Sequence, residues 1–115
     1  MLAQGLTASV EGPAAQEATA RLALLGAAPN PGKGELLISF QMPASGQAAL
    51  KIYDIRGREV RTVFDETLEA GVHERTWDGR NNGGTPVAPG VYLCRLSTAS
   101  QFDVEKVLLV RRGGE

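Results

Sequence analysis

Cysteine is nearly absent from this chain, aromatic side chains are few, and long apolar runs are missing. With Cys94 as its one cysteine among 115 residues, the chain can form no internal disulfide, so its fold must rest on a packed core. That scarcity leaves the compartment open, because it suits both a cytosolic protein and a disulfide-free secreted one. No stretch nears the roughly 20 apolar residues that a membrane span needs. The longest, LALLGAA, is interrupted by Gly26. The opening MLAQGL has neither the charged start nor the apolar run of a signal peptide, so the leader of an exported form would have been removed or would lie outside this sequence. Charge of one sign is missing as well. The formal net charge is -1, and no bulk field draws nucleic acid or an anionic membrane. The basic groups are local: Arg56, Arg58 and Arg61, then Lys106, Arg111 and Arg112.

What is present is ordinary for a globular domain: 43% hydrophobic and 22% charged residues. A chain of this length forms one domain, and burying about two-thirds of its unfolded surface suffices without metal or disulfide. Residues 1–20, rich in Ala, Gly and Glu, read as an arm or linker. PAAQEATARLALL reads either as a helix, with Pro13 at its first position and Gly26 past its end, or as an arm ending near Ala20 followed by a short strand RLALL. In the arm itself, Leu6, Ala8 and Val10 alternate as an added strand would.

From residue 34 the apolar period is two. ELLISFQM puts Leu36, Ile38, Phe40 and Met42 on one face. AALKIYD does the same with Ala48, Leu50 and Ile52. VHERTWD groups His73, Arg75 and Trp77, and VYLCRLS groups Tyr92, Cys94 and Leu96. VRTVFDETL alternates imperfectly, and FDVEKVLLV closes the series. Turn signals lie between these segments: PASG, DIRGRE, EAG and ASQ. Six or seven short strands with no strong helix pattern between them predict an antiparallel β-sandwich, with a small barrel as the structural alternative.

Catalytic constellations are thin. Asp78 with Glu74, or Asp103 with Glu105, makes a carboxylate pair on paper, but alternating acids on strands form a solvated face. His73 and Cys94 are the only residues of their kinds, and Cys94 sits in an apolar alternation where a thiol packs as a small hydrophobe. GAAPNPGKGE fails as a phosphate loop in its spacing and in the strand that follows it. The loop after Trp77 is the sharpest alternative. Asp78, Asn81 and Asn82 carry the hard oxygens calcium takes, yet the EF-hand spacing is absent. The competing reading has these side chains accepting backbone hydrogen bonds while Gly79, Gly83 and Gly84 supply unusual φ values. Tyr92 and Cys94 form the Y-x-C of a late immunoglobulin-type strand, so Tyr92 is placed to close a tyrosine corner.

Taken in order, APNPGKGELLISFQMP, ALKIYDIRGREVRTV, AGVHERTWDGRNNGGTPVAPGVYLCRL and KVLLVRR resemble the Ig-like domain of the flagellar hook-capping protein family. The related C-terminal sorting domains of type IX secretion share parts of this series but usually lack the insertion that begins WDG. The resemblance covers about residues 22–112. It implies an all-β, seven-stranded antiparallel Ig-like sandwich over residues 21–112, with an N-terminal arm at 1–20 and a tail at 113–115. It further implies an extracytoplasmic bacterial protein without enzyme activity or cofactor, which works through sorting, anchoring or assembly with other protein chains. An alternative role is a subunit of an envelope complex or filament, docked through its arm or a sheet edge. Asn30 and Pro31 match the family's start motif, and Tyr53, Asp54, Gly57 and Arg58 its central turn. Trp77, Asp78 and Gly79 match the start of the long loop, and Gly90, Val91 and Tyr92 the strand after it. These are expected to determine fold. Arg75 departs from the pattern, where an apolar residue is usual. The expected interaction edges are Val60 and Arg61, Arg75, and Val104, Lys106 and Leu108.

Overall fold

In the computed structural model, residues 21–110 are described. Seven strands run in order: β1 (Ala23–Ala28), β2 (Leu36–Met42), β3 (Gly46–Asp54), β4 (Glu59–Leu68), β5 (Gly71–Trp77), β6 (Gly90–Ser97) and β7 (Phe102–Leu109). They form a three-stranded sheet ordered β1-β2-β5 and a four-stranded sheet ordered β4-β3-β6-β7, with antiparallel ladders throughout. The fourth strand pairs with the third rather than joining the first sheet, unlike the constant-type immunoglobulin arrangement.

The two-residue period explains this arrangement. Leu36, Ile38, Phe40 and Met42 all point inward from β2, opposed by Ala48, Leu50 and Ile52 from β3 and by Tyr92, Cys94 and Leu96 from β6. Each large apolar side chain so buried contributes roughly 1.5–3 kcal/mol of transfer free energy. Phe40 lies at the centre, its ring stacked on Phe64 at 5.3 Å and on His73 at 5.6 Å. His73 is thus a packing residue, and Cys94 is fully buried.

Two segments differ from simple alternation. Residues 23–28 are strand and not helix, and the strand runs three residues past Leu25. Helix propensity yields here to pairing, because β1 satisfies the outer edge of β2 and buries Leu22 against the core. Residues 1–20, with the arm reading and most of the helix reading, lie outside the described residues. The irregular VRTVFDETL is explained by register shifts between Leu50/Lys51 and Ile52/Tyr53 in the β3–β4 ladder. A bulge inserts an extra residue and resets the phase, so Phe64 and Leu68 point inward while Val60 and Val63 are only half-buried.

Candidate functional site

The loop after Trp77 is a closed hydrogen-bond system. The Trp77 indole N–H donates to the carbonyl of Arg80 at 2.9 Å, and the ring meets Tyr92 edge-on at 5.6 Å. Asp78 Oδ1 accepts the Arg80 backbone N–H at 3.0 Å and pairs with the Arg61 guanidinium at 3.3 Å. That guanidinium also donates to the Asn81 carbonyl at 3.1 Å. Asn81 Oδ1 accepts the backbone N–H groups of Gly83 and Thr85, at 2.9 and 3.0 Å. Asn82 reaches β4 instead: its N–H donates to the Val60 carbonyl and its Oδ1 accepts the Thr62 N–H, both at 2.9 Å. The oxygens suggested for calcium are therefore directed at different backbone groups, and the one carboxylate among them has a guanidinium beside it. Among the described residues, no group of three His, Cys, Asp or Glu side chains could hold a metal ion.

Gly79 is the tightest point of the loop. Its φ is +77°, and a Cβ there would sit 2.2 Å from the carbonyl oxygen of Gly34. This contact joins the loop before β2 to the loop after β5.

The central turn is built by Asp54. One carboxylate oxygen accepts the backbone N–H groups of Arg56 and Arg58 at 2.9 and 3.0 Å, and the other pairs with the Arg58 guanidinium at 3.2 Å. Gly57 takes φ +86° to let the chain reverse. These bonds, led by the Arg58 N–H, hold the Asp54 carboxyl below the usual carboxylate range. The Thr62 hydroxyl does the same for Glu59, with help from Asn82 and Lys51. Tyr92 donates its hydroxyl to the Ala88 carbonyl four residues upstream, which is the tyrosine corner. Burial, reinforced by the nearby Asp54, pushes that phenol upward, and burial pushes the Cys94 thiol up to about 12. A thiol that stays protonated in an apolar core is no nucleophile.

Side chains lace both open flanks of the sandwich. On one, Arg75 lies over the Phe64 ring at 5.3 Å and pairs with Glu66 at 3.2 Å, crossing from β5 to β4. An inward-pointing charge at a sheet edge is a known guard against edge-to-edge pairing. On the other flank, Gln101 and Asp103 accept the N–H groups of Leu22 and Leu24, each at 2.9 Å. Asn30 Oδ1 accepts the Leu108 N–H at 3.2 Å, and Gly32 exchanges backbone bonds with Leu108 and Val110 at 2.8 Å. Of the expected edge residues, Val60 and Leu108 thus have outward backbone groups bonded within the chain, Arg61 is bonded to the loop after β5, and Arg75 crosses to β4. Val104 gives its N–H to Asp103, which leaves Lys106 between the two plugs. The roles of Asn82, Gln101 and Asp103 carry no local sequence signal, since each depends on a partner distant in the chain.

The outer face of the four-stranded sheet is different in character. Val91, Phe102, Val104 and Leu108 are exposed there, Phe102 at 63%. Leu93 pairs with Tyr53 and Lys106 in the next row. The basic groups on β3, β6 and β7 of this face are Lys51, Arg95 and Lys106, and the Arg95 guanidinium lies 4.6 Å over the Phe102 ring. No acidic residue of these three strands shares the face, the nearest being Glu59 on β4, paired with Lys51 at 3.5 Å.

Residues 27–101 match the family model of the FlgD Ig-like domain. The basal-body rod modification protein FlgD of Salmonella typhimurium is 46% identical over 63 residues, which is 55% of this chain and 27% of that protein. The chain thus spans about a quarter of the length of the curated relative it matches. Among solved structures, dimeric latent PorU from Porphyromonas gingivalis superposes with a TM-score of 0.62 at 18% identity, over 92% of this chain and 10% of that one. FlgD from Xanthomonas campestris, studied for the hook capping essential for flagellar assembly, gives 0.54 at 19% identity, over 76% of this chain and 64% of that one. At these identities the structural likeness shows the fold.

Proposed function

Because the chain belongs to the FlgD Ig-like domain family, we propose that it is a non-enzymatic assembly module of an extracytoplasmic bacterial protein. The observation that carries this reading is the apolar, basic-rimmed outer face of β3, β6 and β7. Contiguous exposed apolar side chains at one place mark a surface that meets another macromolecule. The plugged sheet edges favour contact through this face over strand addition. Its lysines and arginine select a protein partner with an apolar surface fringed by carboxylates, and the lack of net positive charge argues against nucleic acid. The catalytic alternative is weakened by the carboxylates: those of Asp54, Glu59, Asp78 and Asp103 all accept hydrogen bonds that hold the fold.

A photo-crosslinking residue placed at Phe102 in the producing bacterium tests the reading, with Glu74 on the opposite sheet as control. A discrete crosslinked protein at Phe102 and none at Glu74 is expected. Equal crosslinking at both positions, or none at Phe102, would count against it. Protease treatment of intact cells tests the location: the module should be cleaved without lysis once it is exported to the surface. A reporter fused to residues 21–115 separates sorting from assembly, since only a sorting module carries the reporter out.

A further inference from the structure

We propose that this module bears tension along its strand axis, between the points where the chain comes in at Arg21 and leaves at Val110. The geometry rests on β1 and β7, which belong to different sheets but lie side by side and run parallel. Five hydrogen bonds join residues 22–32, which comprise β1 and its flanks, to residues 101–110, which comprise β7 and its flanks, in ascending order. Leu22 and Leu24 donate to Gln101 and Asp103 at the lower end. Leu108 donates to Asn30, Gly32 donates to the Leu108 carbonyl, and Val110 donates to the Gly32 carbonyl at the upper end. The bridge between Gly32 and Leu109 is itself parallel.

Parallel neighbours at the two ends of a domain have a mechanical consequence. Arg21 sits beside the start of β7, and Val110 follows its end. The two points are therefore separated by roughly 25 Å, the length of an eight-residue strand at about 3.3 Å per residue. Pulling them apart drives β1 and β7 past each other in shear. All five bonds are then loaded at once, together with the β1–β2 and β6–β7 ladders that anchor the two strands. A pull that separates the same strands sideways breaks the bonds one after another and meets less resistance. Three of the five bonds use side-chain oxygens, of Gln101, Asp103 and Asn30, so the clamp is written partly in side chains. It does not depend on which protein the outer sheet face contacts.

Single-molecule force spectroscopy on the full chain tests this. Handles coupled through Arg21→Cys and Arg111→Cys load the clamp in shear, and handles through Arg21→Cys and Ala99→Cys peel it from the lower end. The buried Cys94 thiol stays unlabelled. At one pulling speed the shear axis should require about twice the force of the peeling axis, since forced unfolding follows the barrier along the pulled direction. Equal forces on the two axes would overturn the proposal. Removing two laces with Asn30→Ala and Asp103→Ala should lower the shear force by roughly a third and the peeling force, which loads one bond at a time, by a smaller fraction. An unaltered shear force in that variant also overturns it. If the double variant does not fold, the two-axis comparison still decides, because it leaves every lace intact.

Discussion

Replacing Gly79 with alanine should cost more stability than any other glycine substitution in the loops, and the structure gives the reason in two parts. The first is conformational. An L-residue at φ +77° pays roughly 1–2 kcal/mol for the left-handed region. The second is steric. The new methyl would lie 2.2 Å from the Gly34 carbonyl oxygen and 3.1 Å from its carbon, both backbone atoms, so one loop must move by about an ångström. Overpacking of that kind costs a further 1–3 kcal/mol or so. The sum is about 2–5 kcal/mol, a large share of the roughly 5–15 kcal/mol that holds a domain of this size. Gly84 supplies the control. Its φ is +88°, but nothing lies within 4 Å of its added Cβ, so Gly84→Ala carries the conformational cost alone. Urea unfolding of both variants, followed at 25 °C, separates the two contributions. In thermal melts the expectation is a drop of roughly 8–20 °C for Gly79→Ala and about 4–8 °C for Gly84→Ala. If the two variants lose the same stability, the close approach of the two loops contributes nothing and the reasoning fails.

Tyr92→Phe removes the hydroxyl bonded to Ala88 and should cost about 1–1.5 kcal/mol by denaturant titration, while a neutral result would mean that the corner is decorative. Alkaline stability should fall along a predictable limb. The Cys94 thiol titrates near 9.0 in an unfolded chain and at about 12 in the fold, so its contribution is complete below pH 9 and drains away as pH rises to 12. Three units at 1.36 kcal/mol each make this about 4 kcal/mol, so the stability gap between the natural protein and Cys94→Ala should hold up to about pH 9 and narrow from there to pH 11.5. A gap that stays constant over that range refutes the burial argument. Asn82→Ala should speed hydrogen exchange at the Thr62 amide, because the β4 edge loses its cap. Unchanged exchange there would show that water or another group does the capping.

Much of this architecture was legible in the sequence because one face per strand is an alternating code. Leu36 to Met42 and Tyr92 to Leu96 needed nothing beyond periodicity. Arg75 was visible as an anomaly, and only the three-dimensional fold shows its purpose, the Phe64 ring and Glu66 on the facing strand. The residues that lace the flanks were not legible. Asn30 meets Leu108 across 78 positions, and Gly79 meets Gly34 across 45; such pairs obey register and loop packing, which no local pattern carries. The bulges in the β3–β4 ladder blurred the one strand whose alternation faltered. The helix reading around residues 21–25 erred because alanine-rich segments favour helix until a bare strand edge offers them partners.

Trp77 also makes the protein its own instrument. It is the sole tryptophan, 1% exposed, with its indole N–H held by the Arg80 carbonyl and its ring against Tyr92. Its fluorescence therefore comes from one known position, at the end of the sandwich where the long loop meets the strand after it. Emission should be blue-shifted in the native state and move red when that end opens. Any comparison with far-ultraviolet circular dichroism, which reads all the strands, would show whether the loop end comes apart with the sheets or before them.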